Sequence, residues 1–253
     1  MPLVYRCTLR LLEPTFFSTR EIGNLYQTEA FVGHIALCYA LGLAPSRYHN
    51  DGKTIHYRED LAVLNERGIY VTPATIRGSA RFTLGQFNAQ PDSYWSAMGN
   101  NALVTAPQGM WAEKDGNTWY ITDGQTLRRK HGVENRPQFG RIRALAIGND
   151  AEFFIISETP QVVPSYIRLG KWMSKAQIIT QSLPISGEQH GATIPYLLAP
   201  ADLTSATQLV AFDLLNVAPT PLVRNARIYG HCYILDGKIT LPSGMRFNLK
   251  DFA

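Results

Sequence analysis

Cysteine is scarce in this 253-residue chain: Cys7, Cys38 and Cys232 lie far apart and form no C-x-x-C pair. That spacing argues against a disulfide framework and against a cysteine-based zinc site, and it suits a reducing cytoplasm. Charged residues are only 17% of the sequence, so neither a disordered chain nor a solvated helical array fits. The longest mostly apolar stretch, Phe31 to Ala44, falls short of the roughly 20 residues a bilayer-spanning helix needs. The opening stretch, Leu3 to Arg10, interrupts its apolar residues with arginine and reads as neither signal peptide nor membrane anchor. A soluble, globular protein is expected, one elaborated domain over residues 1–253, with no repeat of fixed period and no low-complexity run.

Catalytic signatures are missing as well. Arg168-Leu-Gly-Lys171 has a single glycine and no Ser/Thr directly after its lysine, so it is not a Walker loop. There is no H-E-x-x-H, no G-x-S-x-G, and no carboxylate cluster for a two-metal nuclease. No metal and no cofactor is expected. His34 has no metal-spaced partner nearby, His49 and His56 read as plain surface residues of a polar loop, and none of the three receives chemistry.

What the chain does have is sorted positive charge. Between Arg128 and Lys175 there are nine Lys/Arg and four Asp/Glu, a local excess of +5 against +4 for the whole chain. Elsewhere the count is fifteen basic to sixteen acidic, and arginine outnumbers lysine seventeen to seven. Arg128, Arg129, Lys130, His131, Arg136, Arg141 and Arg143 come first; Tyr166, Arg168, Lys171, Trp172 and Lys175 then alternate cations with rings. Guanidinium groups clamp phosphate oxygens in pairs and displace counterions, and flat rings stack on unpaired bases. This pattern points to a nucleic-acid surface, with a solvated or ion-paired basic face as the plain alternative.

The coarse elements support an α+β sheet domain with a long insertion. From Leu3 to Leu11 apolar residues alternate with Arg6, Thr8 and Arg10, which predicts a half-buried strand. Glu29 to Leu41 carries a helical stripe, closed by Gly42 and Pro45. Ile69 to Phe82 is strand-like but broken by Pro73 and Gly78. Residues 83–135 read as an inserted lobe of short pieces, including a strand over Thr118 to Ile121. Arg141 and Arg143 alternate with Ile142 and Ala144, a strand expected to form a hairpin with the apolar run Glu152 to Ser157. A last hairpin, Arg227 to Leu235 and Lys238 to Leu241, turns at Asp236-Gly237 and sets Arg227, Tyr229, His231 and Tyr233 on one face. A ring-and-cation face on a sheet is one way bases are held, and ordinary half-buried sheet residues are the other reading.

Arg20-Glu-Ile-Gly-Asn-Leu-Tyr26-Gln-Thr-Glu29, ahead of the helix ending Tyr39-Ala-Leu-Gly-Leu43, together with Ile167-Arg-Leu-Gly-Lys-Trp172-Met-Ser-Lys-Ala176, resembles the Csc-one family. These are the Cas-five-type subunits of the subtype I-D CRISPR effector, Cascade. The resemblance implies an RNA-recognition-motif (ferredoxin-like) antiparallel sheet core, an inserted thumb-like lobe and extra C-terminal strands. It implies a non-catalytic subunit that holds the 5′ handle of the CRISPR RNA. Its neighbours would be the first Cas-seven-type backbone subunit and the Cas-ten-type large subunit, with target DNA engaged through the complex. Arg20 and Tyr26 join the expected RNA contacts on the same ground. The rival is a metal-independent endoribonuclease acting on precursor RNA, with His131 or His231 and Lys171 as its acid–base and cation parts. A protein–protein adaptor without RNA contact is the third class.

Overall fold

A computed structural model of the chain describes residues 1–23, 25–46, 56–89, 108–115, 118–131 and 138–250. In chain order its strands begin with β1 (Leu3–Leu11), β2 (Arg20–Ile22), β3 (Leu25–Gln27) and β4 (Phe31–Val32). Two helices follow, α1 (His34–Ala40) and α2 (Tyr57–Glu66), then β5 (Ile69–Val71), β6 (Ala74–Ile76) and β7 (Phe82–Ala89). Next come β8 (Trp111–Asp115), β9 (Thr118–Thr122), β10 (Arg128–His131), β11 (Gln138–Leu145) and β12 (Asp150–Ser157). The chain closes with β13 (Tyr166–Leu169), β14 (Ser174–Leu183), β15 (Ile185–Ile194), β16 (Gln208–Leu215), β17 (Leu222–Leu235) and β18 (Ile239–Pro242).

The main sheet runs β13-β14-β1-β12-β6-β4, with β5 also paired to β12, and every one of these pairs is antiparallel. β1 lies in the middle, and its Cys7, Leu9 and Leu11 are fully buried as the alternation predicts. β12 is buried on both faces: Phe153, Phe154 and Ile155 all lie out of solvent, which is the burial a continuous apolar run demands. α1 packs against β5 and β13, and α2 against β5. Their Ile35, Leu37, Cys38, Leu61 and Leu64 join Leu9, Leu11, Phe153 and Ile155 in one core.

β1, the two helices and β5 form a split β-α-β unit, because β1 and β5 flank β12 on opposite sides and both run antiparallel to it. The connection from β12 to β14, residues 158–173, carries β13 and no helix. The described chain is therefore mostly antiparallel sheet with two α-helices and one short 3-10 helix (Pro200–Asp202), an α+β fold in which sheet dominates.

Three expectations change. The predicted helix over Glu29 to Leu41 starts at His34, because Phe31 and Val32 pair instead with Thr75 and Ala74 of β6. Gly42, at φ +69°, still ends it. The hairpin between the Arg141 strand and the Glu152 strand does not form: β11 pairs with β3 and β7, and β12 with β1, β5 and β6. The residues between them carry the chain from one sheet to another. Asn149 is buried there, donating to the carbonyls of Arg81 and Ala146 and accepting from the Arg81 amide.

Residues 83–135 also divide. Their described part gives β7 to the sheet β2-β3-β11-β7 and builds a separate three-stranded sheet, β10-β9-β8. Among the described residues no hydrogen bond links that three-stranded sheet to the others.

The last sheet is β15-β17-β16, with β18 paired to β17 through the expected Asp236-Gly237 turn, whose residues sit at φ +48° and +65°. β16 is unusual. Among the described residues it pairs only with β17, none of its eight residues is buried, and Val210, Phe212 and Leu214 face solvent.

Candidate nucleic-acid interface

The sheet β2-β3-β11-β7 collects most of what the sequence singled out. Arg141 lies opposite Leu25 and Gln86, and Arg143 opposite Gln27 and Leu84, while Arg20 extends the second row across β2. One face of this small sheet therefore carries three arginines and two glutamines. Ile22, 60% exposed, and Leu84, 76% exposed, lie among them.

These cations differ in their surroundings. Arg20 pairs with Glu29 at 2.7 Å. The Arg143 guanidinium lies 4.2 Å from the centroid of the Phe82 ring, its Nη2 reaches the Thr28 carbonyl at 3.5 Å, and its Nε is buried without a hydrogen-bond partner among the described residues. Arg141 is exposed and has no carboxylate partner among the described residues.

The opposite face is a small core of Phe16, Tyr26, Ile142 and Ala144. Gly85 permits its tightness, since a Cβ there would lie 3.1 Å from Ile142 Cγ1. Tyr26, expected from the resemblance to contact RNA, is fully buried in this cluster and offers no ring to a base. Its alternation with Leu25 and Gln27 sends it inward.

Phe16 also joins this sheet to the second basic segment. Gly170 adopts φ +72° and sits so close to Phe16 that a Cβ would lie 2.5 Å from its carbonyl oxygen, while the Lys171 amide donates to the same oxygen at 2.9 Å. Only glycine fits such an approach. The turn lays Trp172 against Phe16, centroids 4.8 Å apart at an interplanar angle of 27°, and leaves the indole 40% exposed. Partial burial pulls the Lys171 ammonium below its ordinary value, and Glu21 nearby acts in the opposite sense.

On the adjoining strands Arg168 faces Lys175 across the β13–β14 pair. Two directly opposed cations repel, and the structure offsets them: Arg168 donates to the Met173 carbonyl at 3.0 Å with Glu13 at 3.7 Å, and Lys175 sits 4.7 Å from the centroid of Tyr166.

The Arg128 group lies apart from this. Arg128 braces its own sheet through Asp115 at 2.7 Å, Glu113 at 3.8 Å and the Tyr120 ring at 4.3 Å. Arg129 and Lys130 follow it on β10, both exposed. Arg136 lies outside the described residues, as does the side chain of His131. Of the proposed acid–base set, His231 stands on β17 and Lys171 on the turn after β13, in different sheets.

The segment count overlooked four arginines. Arg6 and Arg77 both bind the buried Glu152 carboxylate, Arg77 at 2.6 Å through Nη2. Arg10 forms a two-pronged pair with Asp150, both contacts 2.9 Å, and holds that carboxyl below the usual range. Arg81 donates to the Gly148 carbonyl. The alternation of β1 had already put Arg6 and Arg10 on one face; the acids that meet them come from β12, which sequence spacing does not reveal.

The cysteines are all free and buried, with burial raising the Cys7 thiol to about 12. His34 is enclosed with Asp202, 3.2 Å away, and Tyr70 donates to the same carboxylate at 2.9 Å. Among the described residues no group of three or more His, Cys, Asp and Glu is arranged to hold a metal ion, and no helix is long and apolar enough to cross a membrane.

An α+β protein with an arginine-lined open sheet face, braced by an aromatic clasp, is thus the class this architecture defines. The chain matches the family model described as type I-D CRISPR-associated protein Cas5/Csc1 over residues 2–250, and it belongs to that family. It is a subunit of a type I-D CRISPR effector, and membership implies a Cascade complex with CRISPR RNA and other Cas subunits. Among curated proteins no match is found.

Proposed function

We propose that the chain is the non-catalytic RNA-binding subunit that grips the 5′ handle of the CRISPR RNA and caps the Cascade backbone. The observation that carries this reading is Arg141. It stands exposed on an open sheet face among glutamines, with no carboxylate partner among the described residues, in a chain where Arg6, Arg10, Arg20, Arg77, Arg128, Arg168 and Arg224 all have acid partners. A cation left unpaired on a surface is available to a phosphate.

In this reading Arg141 and Arg143 hold the handle backbone, Lys171, Trp172, Arg168 and Lys175 form a second contact, and the sheet β10-β9-β8 acts as a thumb that brings Arg129 and Lys130, with Arg136 following them in sequence. Arg20 and Arg128 contribute once RNA competes for their acids, and Tyr26 supports the platform from below. The main sheet serves as an RNA-recognition-motif core whose second helix is replaced by the β13 connection. The Cas-seven-type backbone subunit and the Cas-ten-type large subunit lie beside it, target DNA is met through the assembled complex, and the complex works in the cytoplasm.

Salt titration tests the grip. Replacing Arg141 and Arg143 with Ala is expected to weaken handle binding and to lower the salt slope by about one per lost phosphate contact. An unchanged slope removes both residues from the site. Incubating the purified chain with repeat RNA in EDTA tests the non-catalytic assignment, and specific cleavage would overturn it.

A further inference from the structure

The handle reading leaves one ring-bearing surface unused. β17 alternates strictly over its middle: Ala226, Ile228 and Cys232 are buried, while Arg227, Tyr229 and His231 point the other way and are exposed. Gly230 faces inward because Thr207 crosses directly beneath, where a Cβ would lie 2.8 Å from its hydroxyl oxygen. On the neighbouring strand His190 pairs in register with His231.

The outcome is a contiguous set of three rings. His190 lies 4.4 Å from Tyr229 at an interplanar angle of 72°, and 4.9 Å from His231 at 81°. Tyr229 remains 57% exposed. Tyr229 and His231, two apart on their strand, stand about 7 Å from each other, and His190 packs edge-on against both. The rings are not core residues that happen to reach the surface; their strand sends its aliphatic side chains to the core and these to water.

The charges on this face favour an anionic, ring-bearing ligand. Arg227 has no carboxylate partner among the described residues. Gln208 of β16 lies opposite Tyr229 and is exposed. Glu188 lies two positions from His190 and opposite Tyr233, and Asp213 of β16 is paired with Arg224. An arginine beside exposed rings supplies both a phosphate contact and a stacking surface, and every nucleobase has a π-face to offer.

We propose that this face of β15 and β17 is a stacking platform for unpaired bases of a single-stranded nucleic acid. It rests on membership in a CRISPR effector and is independent of the β11 grip. Tyr229 and His231 take the bases, His190 holds the two rings upright, and Arg227 meets the adjoining phosphate. Stacking alone recognises base faces, so the platform tolerates sequence, and the strand is either RNA or DNA.

The test uses the full chain with two short oligonucleotides of one sequence, one RNA and one DNA, each carrying a single 2-aminopurine. Binding is read by anisotropy and stacking by quenching of the fluorophore. The double variant Tyr229→Ala, His231→Ala should lose quenching and bind its preferred oligonucleotide about fivefold to a hundredfold more weakly, in line with the cost of losing a base–ring stack. Tyr229→Trp should keep both signals, and the oligonucleotide that binds more tightly identifies the strand. Arg141→Ala, Arg143→Ala run in parallel separates the two surfaces: it should weaken handle RNA while leaving the quenching in place.

Wild-type affinity and quenching in the double variant, on both oligonucleotides, would overturn the platform. So would a variant that binds both normally but no longer joins its partner subunits, which would make this a protein-docking face. Should the double variant not fold, photo-crosslinking of wild type with 4-thiouridine RNA and 5-iododeoxyuridine DNA replaces it. Adducts on Tyr229, His231 or His190 support the proposal, and adducts confined to other residues refute it.

Discussion

β1 and β11 are near twins in sequence pattern and opposites in electrostatics. Each places two arginines on one face, Arg6 and Arg10 four apart on one, Arg141 and Arg143 two apart on the other. On β1 one of the two neighbouring strands is β12, whose Glu152 and Asp150 meet both guanidinium groups. On β11 the neighbours are β3 and β7, which set Leu25, Gln27, Leu84 and Gln86 beside them. Spacing decides which face an arginine occupies; the strand alongside decides whether its charge is spent within the fold or left for a ligand.

The largest break in this comparison comes from the acid under β1. Glu152 is buried, while its partners Arg6 and Arg77 are 32% and 42% exposed, so Glu152→Gln should lower unfolding stability by about 1.5–3 kcal/mol, the range for hydrogen bonds to charged groups. Urea denaturation reads this. RNA affinity in the folded variant should not fall, because the change frees cations.

Making β11 resemble β1 gives the next effect. Gln86 lies directly opposite Arg141, and Gln86→Glu supplies the carboxylate that β12 supplies to β1. Handle affinity should drop, with the salt slope lower by about one, while the thermal midpoint stays within a degree or two because exposed pairs contribute only about 0.2–1 kcal/mol.

Acid titration is subtler. Asp150 is held below the usual carboxylate range by its hydrogen bond to Arg10. A carboxyl whose pKa is lower in the folded state adds stability above its unfolded value, about 3.9, and loses it as pH falls through the folded value. Asp150→Asn should therefore flatten the acid limb of stability below about pH 4 and leave neutral stability changed by less. Arg141→Ala should leave that limb as it is.

Much of this was legible beforehand for a physical reason. Strand alternation in β1, β11 and β17 encodes which side meets water, and the Asp236-Gly237 turn encodes its own hairpin. Pairing partners are another matter. Residues 138–157 read as a hairpin because they are adjacent, yet the continuous run Phe153 to Ile156 needs cover on both faces and goes to the main sheet, while β11, apolar on one face only, goes to an open one. Tyr26 entered through the resembling segment, and resemblance does not say which way a strand residue points; its ring is buried. The clasp of Gly170 on Phe16 joins positions more than 150 apart in the chain and left no trace in local pattern, although the glycine itself stood in the most specific of the resembling segments.

β16 carries a last consequence. Among the described residues nothing pairs with its outer backbone edge, and Val210, Phe212 and Leu214 are exposed beside it. A long apolar edge invites another extended chain to zip onto it. Kept by itself at high concentration, the protein should turn turbid, with segment 208–215 as the seed. Phe212→Lys should delay the onset of light scattering without moving the melting point, so how long a purified sample keeps is set by a strand remote from the arginines that give the molecule its use.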